Sequence, residues 1–168
     1  MGVDNIAYEF MQSIESSWLT NSSEFIAIIT EPIVLLVLSF LIGGLIYFKK
    51  SKLEGLFFAG LVLIAGVSIK VFKYIFHQAR PLNSLIAETG YSLPSGHATM
   101  AVVFFGLIFY LFIKRKTLLS GVLTSLIILL IGFTRIYLRV HWLTDILAGY
   151  VLGGLILWIG IWVYRKIK

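Results

Sequence analysis

The sequence contains no cysteine, which excludes disulfides, thiolate catalysis and cysteine-held metals. Charge is also scarce: 13% of the residues are Asp, Glu, Lys or Arg, where a soluble domain carries roughly a quarter. The first 31 residues hold no lysine or arginine against five acidic residues. This stretch therefore lacks the basic leader of a cleavable signal peptide, and Asp4, Glu9 and Glu15 would interrupt its apolar core. There is no internal repeat and no low-complexity linker, so one domain is expected over residues 1–168.

Apolar residues fill the space that charge leaves. They make up 59% of the chain and gather into blocks near 32–48, 54–76, 97–113, 118–136 and 143–164. Each block approaches the ~20 residues that cross a bilayer as a helix. Before them, Ile6, Phe10, Ile14 and Trp18 recur at a spacing of four within residues 5–20, the pattern of an amphipathic helix too polar to span. Such a helix either lies in the membrane interface or packs on the end of the bundle. Pro32 suits the first turn of the first span, and the Pro- and Gly-containing stretch 77–96 reads as a loop. The expected fold is all-α: a polytopic membrane helical bundle of about five transmembrane helices with an N-terminal interfacial amphipathic helix.

The formal net charge of +6 is not a nucleic-acid signature here, because the basic residues flank apolar blocks. Nine of the fourteen lie in three clusters: Lys49, Lys50 and Lys52; Lys114, Arg115 and Lys116; Arg165, Lys166 and Lys168. Five spans put all three clusters on one side, and the positive-inside rule makes that side cytoplasmic. The other five, Lys70, Lys73, Arg80, Arg135 and Arg139, then fall on the outer side against that rule. Something other than topology must account for them.

Three motifs share that outer side. Lys73 and Arg80-Pro81 end the second block, Pro94-Ser95-Gly96-His97 opens the third, and Thr134-Arg135 is followed by His141 and Asp145. Three cations converging in a semi-dry pocket repel one another unless an anion lies between them. Arginine forks and a lysine point charge suit phosphate. Ser95 is a good helix cap, Gly96 allows close approach, and free amides at a helix start bind anions. His141 and Asp145 are four apart and share a helix face. The carboxylate can hold one ring nitrogen and leave the other free to attack. His97 can then serve as acid to the leaving oxygen and base to water.

The ordered set Lys-x6-Arg-Pro, Pro-Ser-Gly-His and Arg-x5-His-x3-Asp resembles the type 2 phosphatidic acid phosphatase (PAP2) superfamily, which includes integral-membrane lipid phosphatases. The motifs cover residues 73–145, and the helical layout extends the likeness to the C-terminus. The resemblance implies a phosphohistidine at His141 supported by Asp145, His97 as acid and base, and a phosphate held by Lys73, Arg80, Ser95, Gly96 and Arg135. It implies no metal and no cofactor. The partner is a phosphorylated membrane lipid within the bilayer, not a nucleic acid. Thr134 stands where the family commonly has serine. Many relatives have six spans, so residues 1–31 stand in for a first helix.

Blander roles exist for several of these residues. Arg135 alone could be a snorkelling anchor, His77 a surface group, Glu88 a solvated loop residue, Lys70 a pocket-rim or snorkelling residue, and Arg139 a headgroup or loop contact. Gly149, Gly153 and Gly154 suit close helix packing, and Trp142, Trp158 and Trp162 suit interface anchoring. The expected function is a lipid phosphatase in the cell (inner) membrane with its site facing the extracytoplasmic side. A non-catalytic lipid-phosphate binder or transporter is the alternative, and a haloperoxidase fits less well because those relatives are soluble.

Overall fold

The computed structural model describes residues 2–113 and 117–168. Among the described residues seven helices follow one another: α1 (Val3–Ser13), α2 (Ser17–Ile29), α3 (Pro32–Lys49), α4 (Lys52–Phe76), α5 (Gly96–Phe112), α6 (Leu118–Tyr137) and α7 (Leu143–Ile167). Among the described residues there is no strand. Four helices, α3, α4, α6 and α7, are long and apolar enough to cross a membrane, and α5 is a shorter apolar helix of 17 residues. The chain is an integral membrane protein. Its outer surface is lined by exposed Leu41, Leu45, Leu126, Val151 and Trp158, the all-round apolar character of helices that face lipid.

Local chemistry sets the helix ends. Pro32 occupies the first turn of α3. The Ser51 hydroxyl accepts from the Glu54 amide at 3.3 Å to start α4, and His77 stops α4 in a left-handed conformation (φ 50°). Thr117 and Ser120 cap each other's backbone amides at the start of α6. At the start of α7, the Trp142 amide donates to Asp145 Oδ2 at 2.9 Å.

The α5 helix runs through the middle, with α3, α4, α6 and α7 around it. Lipid tails are as apolar as leucine, so helices in a bilayer associate through close packing rather than hydrophobic burial. Two glycines of α7 provide it. A Cβ on Gly149 would lie 2.8 Å from the Ser95 carbonyl oxygen, and one on Gly153 would lie 2.8 Å from the Thr99 carbonyl oxygen. Gly154 has nothing within 4 Å of that position, so it takes no part in this contact. Phe58, Val62 and Ala65 of α4 meet Met100, Val103 and Leu107 of α5 in the main core.

The N-terminal segment forms two helices rather than one over 5–20. The chain turns at residues 14–16, where the Ser16 amide donates to the Tyr137 hydroxyl at 3.1 Å. Both helices pack on the bundle, α2 along α6 and α1 across the ends of α6 and α7. The face turned inward carries Met11, Tyr8 and Ile14, whereas Ile6, Phe10 and Trp18 are exposed. The packing role weighed for this segment is the one the contacts show, and the opposite face is apolar and exposed.

The basic clusters at 49–52 and 165–168 share one end of the bundle. Lys50 reaches Glu54 at 2.6 Å and Lys168 reaches the same carboxylate at 3.5 Å. Lys114, Arg115 and Lys116 lie outside the described residues. The end of α4 and the starts of α5 and α7 form the opposite end, where Lys73, His97 and Asp145 sit.

Candidate active site

Four helix termini, the ends of α4 and α6 and the starts of α5 and α7, and one loop build this end. The loop, residues 77–95, is tied down: the Ser92 hydroxyl donates to the Gln78 and Ala79 carbonyls at 3.2 and 3.0 Å. The Leu85 amide donates to the Leu138 carbonyl at 3.0 Å. Trp142, read as an interface anchor, donates its indole N–H to the Ala79 carbonyl at 2.9 Å. These bonds hold Arg80 over the start of α7.

His141 is buried in the turn between α6 and α7. Its Nδ1 lies 3.3 Å from Asp145 Oδ2, the i,i+4 relation that the spacing predicts. Its Nε2 lies 3.4 Å from Arg80 Nη1. A guanidinium only donates, so Nε2 presents its lone pair and Nδ1 carries the proton held by Asp145. Burial is the main reason that the His141 imidazole titrates well below its ordinary range. The positive charges of Arg80, Lys73, Arg135 and His97 push it the same way. The unprotonated nitrogen of the ring thus faces the Arg80 guanidinium, among the other cations.

The cations arrive from separate elements. Arg80 also donates to the Val140 carbonyl at 2.7 Å, the Gly90 carbonyl at 3.1 Å and the Thr89 carbonyl at 3.1 Å. Lys73, near the end of α4, donates to the Tyr91 carbonyl and lies 3.4 Å from the Ser92 carbonyl. Arg135 is 1% exposed, pairs with Glu88 through Nη2, and leaves its buried Nε without a partner. A buried N–H in that state is an open position for an anionic oxygen.

Ser95 caps α5: its hydroxyl faces the Ala98 amide at 3.5 Å, and its own amide donates to the Asp145 carbonyl at 3.0 Å. The amides of Gly96 and His97 have no acceptor within the helix, as the first turn dictates. Gly96 has a second reason to lack a side chain, since a Cβ there would lie 3.2 Å from Pro32 Cγ. His97 is 3% exposed. All eight residues singled out from the sequence thus lie at one end of the bundle.

Two carboxylates among them escaped the sequence reading. Glu88, expected to be solvated, bridges Arg135 and Arg80, the latter at 3.5 Å. It is the only acidic residue in the loop that follows the cation-bearing Lys73–Arg80 motif, and charge balance alone could have flagged it. Glu31 reaches His97 Nε2 at 3.2 Å from the corner between α2 and α3, and no spacing rule points to it. The remaining assignments are now fixed by contacts. Arg139 takes the loop-contact option, donating to Glu15 at 2.8 Å. His77 is a surface group whose ring meets Tyr91 at 4.4 Å. Lys70 lines a cleft of about 320 Å³ with Glu31, Pro32, Leu36, Val67 and Met100.

Fold and geometry define a class: an integral membrane protein with a cationic, histidine-bearing pocket at one end of its helices. Known proteins give the family. The PAP2 superfamily model matches residues 54–168. Phosphatidylglycerophosphatase B of Bacillus subtilis is 30% identical over 165 residues, which cover 92% of this chain and 80% of the relative. Undecaprenyl-diphosphatase of Sulfolobus acidocaldarius is 33% identical over 118 residues, covering 66% of this chain and 55% of that protein. The crystal structure of the transmembrane PAP2 type phosphatidylglycerolphosphate phosphatase from Bacillus subtilis aligns with a TM-score of 0.84 at 29% identity. That alignment covers 98% of this chain and 86% of the other. The chain belongs to the PAP2 superfamily and is a membrane phosphatase of that type.

Proposed function

We propose that this phosphatase hydrolyses a phosphate monoester or diphosphate of a membrane lipid, without a metal, through a phosphohistidine on His141. The observation that carries the reading is the state of His141: Nδ1 against Asp145 at 3.3 Å and Nε2 open toward Arg80 at 3.4 Å. Lys73, Arg80 and Arg135, with the Ser95 hydroxyl and the amides of Gly96 and His97, hold the phosphoryl oxygens. Nε2 attacks phosphorus, and the P–O bond to the lipid breaks. Its electron pair leaves with the lipid oxygen, which takes a proton from His97. His97 next removes a proton from water. The hydroxide attacks phosphorus, the P–N bond breaks, its pair returns to Nε2, and inorganic phosphate departs. Fixed cations and amides stabilise the charge that builds on the equatorial oxygens in both steps.

The site faces the extracytoplasmic side of the cell (inner) membrane. The support is the placement of the 49–52 and 165–168 clusters at the far end of the helices. Residues 1–168 act as one unit in this reading, with α1 and residues 77–95 as the cover. So small a cover contacts little of a headgroup beyond its phosphate. The substrate range is therefore broad among phosphatidate, phosphatidylglycerophosphate, undecaprenyl diphosphate and lipid A phosphates.

The test is His141→Ala in purified protein, assayed for phosphate release on a panel of these lipids. Turnover should vanish while the thermal melt stays close to that of the wild type, and wild-type turnover should be blocked by orthovanadate. Near-normal turnover by the variant would remove His141 as nucleophile, and activity confined to one lipid would remove the broad range.

A further inference from the structure

The His97 ring is held by the corner between α2 and α3. Its Nε2 lies 3.2 Å from Glu31 Oε2 and 3.1 Å from the carbonyl oxygen of Ala27. A carbonyl only accepts, so Nε2 carries a proton and donates it to this pair. Nδ1 is then the nitrogen left to exchange protons. The corner that supplies both acceptors is fixed. Ala27 lies in the last turn of α2, where carbonyls lose their helical partners. Thr30 closes that turn through a 2.6 Å bond from its hydroxyl to the Ile26 carbonyl. Pro32 then seats against Gly96, directly before His97. The hydrogen bond from His97 is the chief reason that the Glu31 carboxyl sits below its ordinary pKa. The charge on His97 and the positive fields of Arg135 and Arg80 add to it, against a penalty from partial burial. Glu31 is thus a carboxylate wherever the enzyme would work.

We infer that Glu31 is a positioning residue for the proton-transfer steps: it fixes His97 through Nε2–H, so that Nδ1 exchanges the proton with the leaving oxygen and then with water. In the first step the ring is doubly protonated, Glu31 balances its charge, and Nδ1 gives its proton to the lipid oxygen. In the second step the neutral ring keeps Nε2–H on Glu31 and takes a proton from water at Nδ1. The site would then hold two imidazole–carboxylate pairs, with Asp145 serving the nucleophile and Glu31 serving the acid. The inference rests on the phosphohistidine reading for its chemistry, but not for its test.

The test uses the full chain in detergent micelles, with phosphatidate and p-nitrophenyl phosphate as substrates. Glu31→Gln keeps the shape and removes the charge. Its kcat on phosphatidate should fall about tenfold or more, within the ~10²–10⁴ that acid–base transfer supplies in all, while KM stays within about twofold of the wild type. The p-nitrophenolate leaving group needs no proton, so the first burst of p-nitrophenolate should keep nearly its wild-type rate. Glu31→Asp, which retains the charge, should recover part of the loss. In a His97→Ala background, Glu31→Gln should cost nothing further. The inference is overturned if Glu31→Gln leaves kcat intact, raises KM alone, or costs the same factor with and without His97. A wild type that shows no burst and no trapped phosphoenzyme would sink the covalent reading. The coupling between Glu31 and His97 in kcat would still decide this one.

Discussion

Glu88→Gln probes how the cation cluster is held together. One Glu88 oxygen pairs with Arg135 and the other lies 3.5 Å from Arg80. Side-chain exposure is 1% for Arg135 and 25% for Glu88, so most of this pairing is shielded from water. Removing one partner of a fully buried ion pair costs about 3–5 kcal/mol. The partial exposure of Glu88, and the amide oxygen that glutamine retains, bring the expected loss to about 1–3 kcal/mol. For a chain of this length each kcal/mol lowers Tm by about 2–4 °C. The assay is thermal melting in micelles across a series of phosphate or orthovanadate concentrations. An anion that binds the folded state raises Tm by mass action. On the reading that a bound anion takes the place of the Glu88 carboxylate on these arginines, the wild type must give that contact up, whereas in the variant the anion meets unneutralised cations. Glu88→Gln should therefore melt lower without anion, gain more per increment of anion, and show a tighter apparent phosphate affinity. A variant that melts like the wild type and responds equally to phosphate would refute the idea that Glu88 occupies the place of the anion.

Three further outcomes follow from the geometry. In protein carrying ¹⁵N-histidine, the His141 ring should titrate below the ordinary ~6.5, because burial and four positive neighbours disfavour its proton. The unfolded chain then takes up the proton first, so stability should decline as pH falls below about 6.5. A ring that titrates at or above 6.5 would contradict the burial argument. Gly149→Ala places a Cβ 2.8 Å from the Ser95 carbonyl oxygen and 2.9 Å from Ala98 Cβ. It should cost about 1–3 kcal/mol and reduce activity, because it pushes the Asp145 end of α7 away from Ser95. Gly154→Ala meets nothing and should melt within about 0.5 kcal/mol of the wild type, so equal effects at 149 and 154 would count against the packing argument. Asp4 accepts from the Thr144 amide at 2.9 Å and its hydroxyl at 2.8 Å. Asp4→Ala should therefore cost about 0.5–2 kcal/mol, seen as a lower Tm and faster amide exchange at Thr144.

Much of this protein was written along the chain. The apolar blocks are long, so the five apolar helices were legible from length, and the starts at Pro32 and Ser95 from capping chemistry. The order Lys73–Arg80, Ser95–His97, Arg135–His141–Asp145 was legible because each motif is local in sequence: the first two each sit at one helix end with its adjoining loop, and the third spans the short turn from α6 to α7. His141 and Asp145 needed only the helical repeat to be paired. The break at residues 14–16 was not legible. The four-residue stripe from Ile6 to Trp18 is helical throughout by pattern, and only Tyr137, more than a hundred residues away, supplies the hydroxyl that caps the turn.

Tertiary structure decided what faces what. Sequence spacing says nothing about partners on different helices, because their distance depends on how side chains and glycines let those helices approach. Glu88 could be counted as a charge in a loop, yet its place between Arg80 and Arg135 follows from the bonds that pin residues 77–95 across α7. Glu31 is further still: its meeting with His97 needs the α2–α3 corner to dock Pro32 on Gly96. The sequence determined which groups could handle a phosphate. The packing of the α2–α3 corner against the start of α5 decided that the second imidazole, His97, would meet a carboxylate as well, at 3.2 Å from Glu31, since that distance depends on how closely the helices approach.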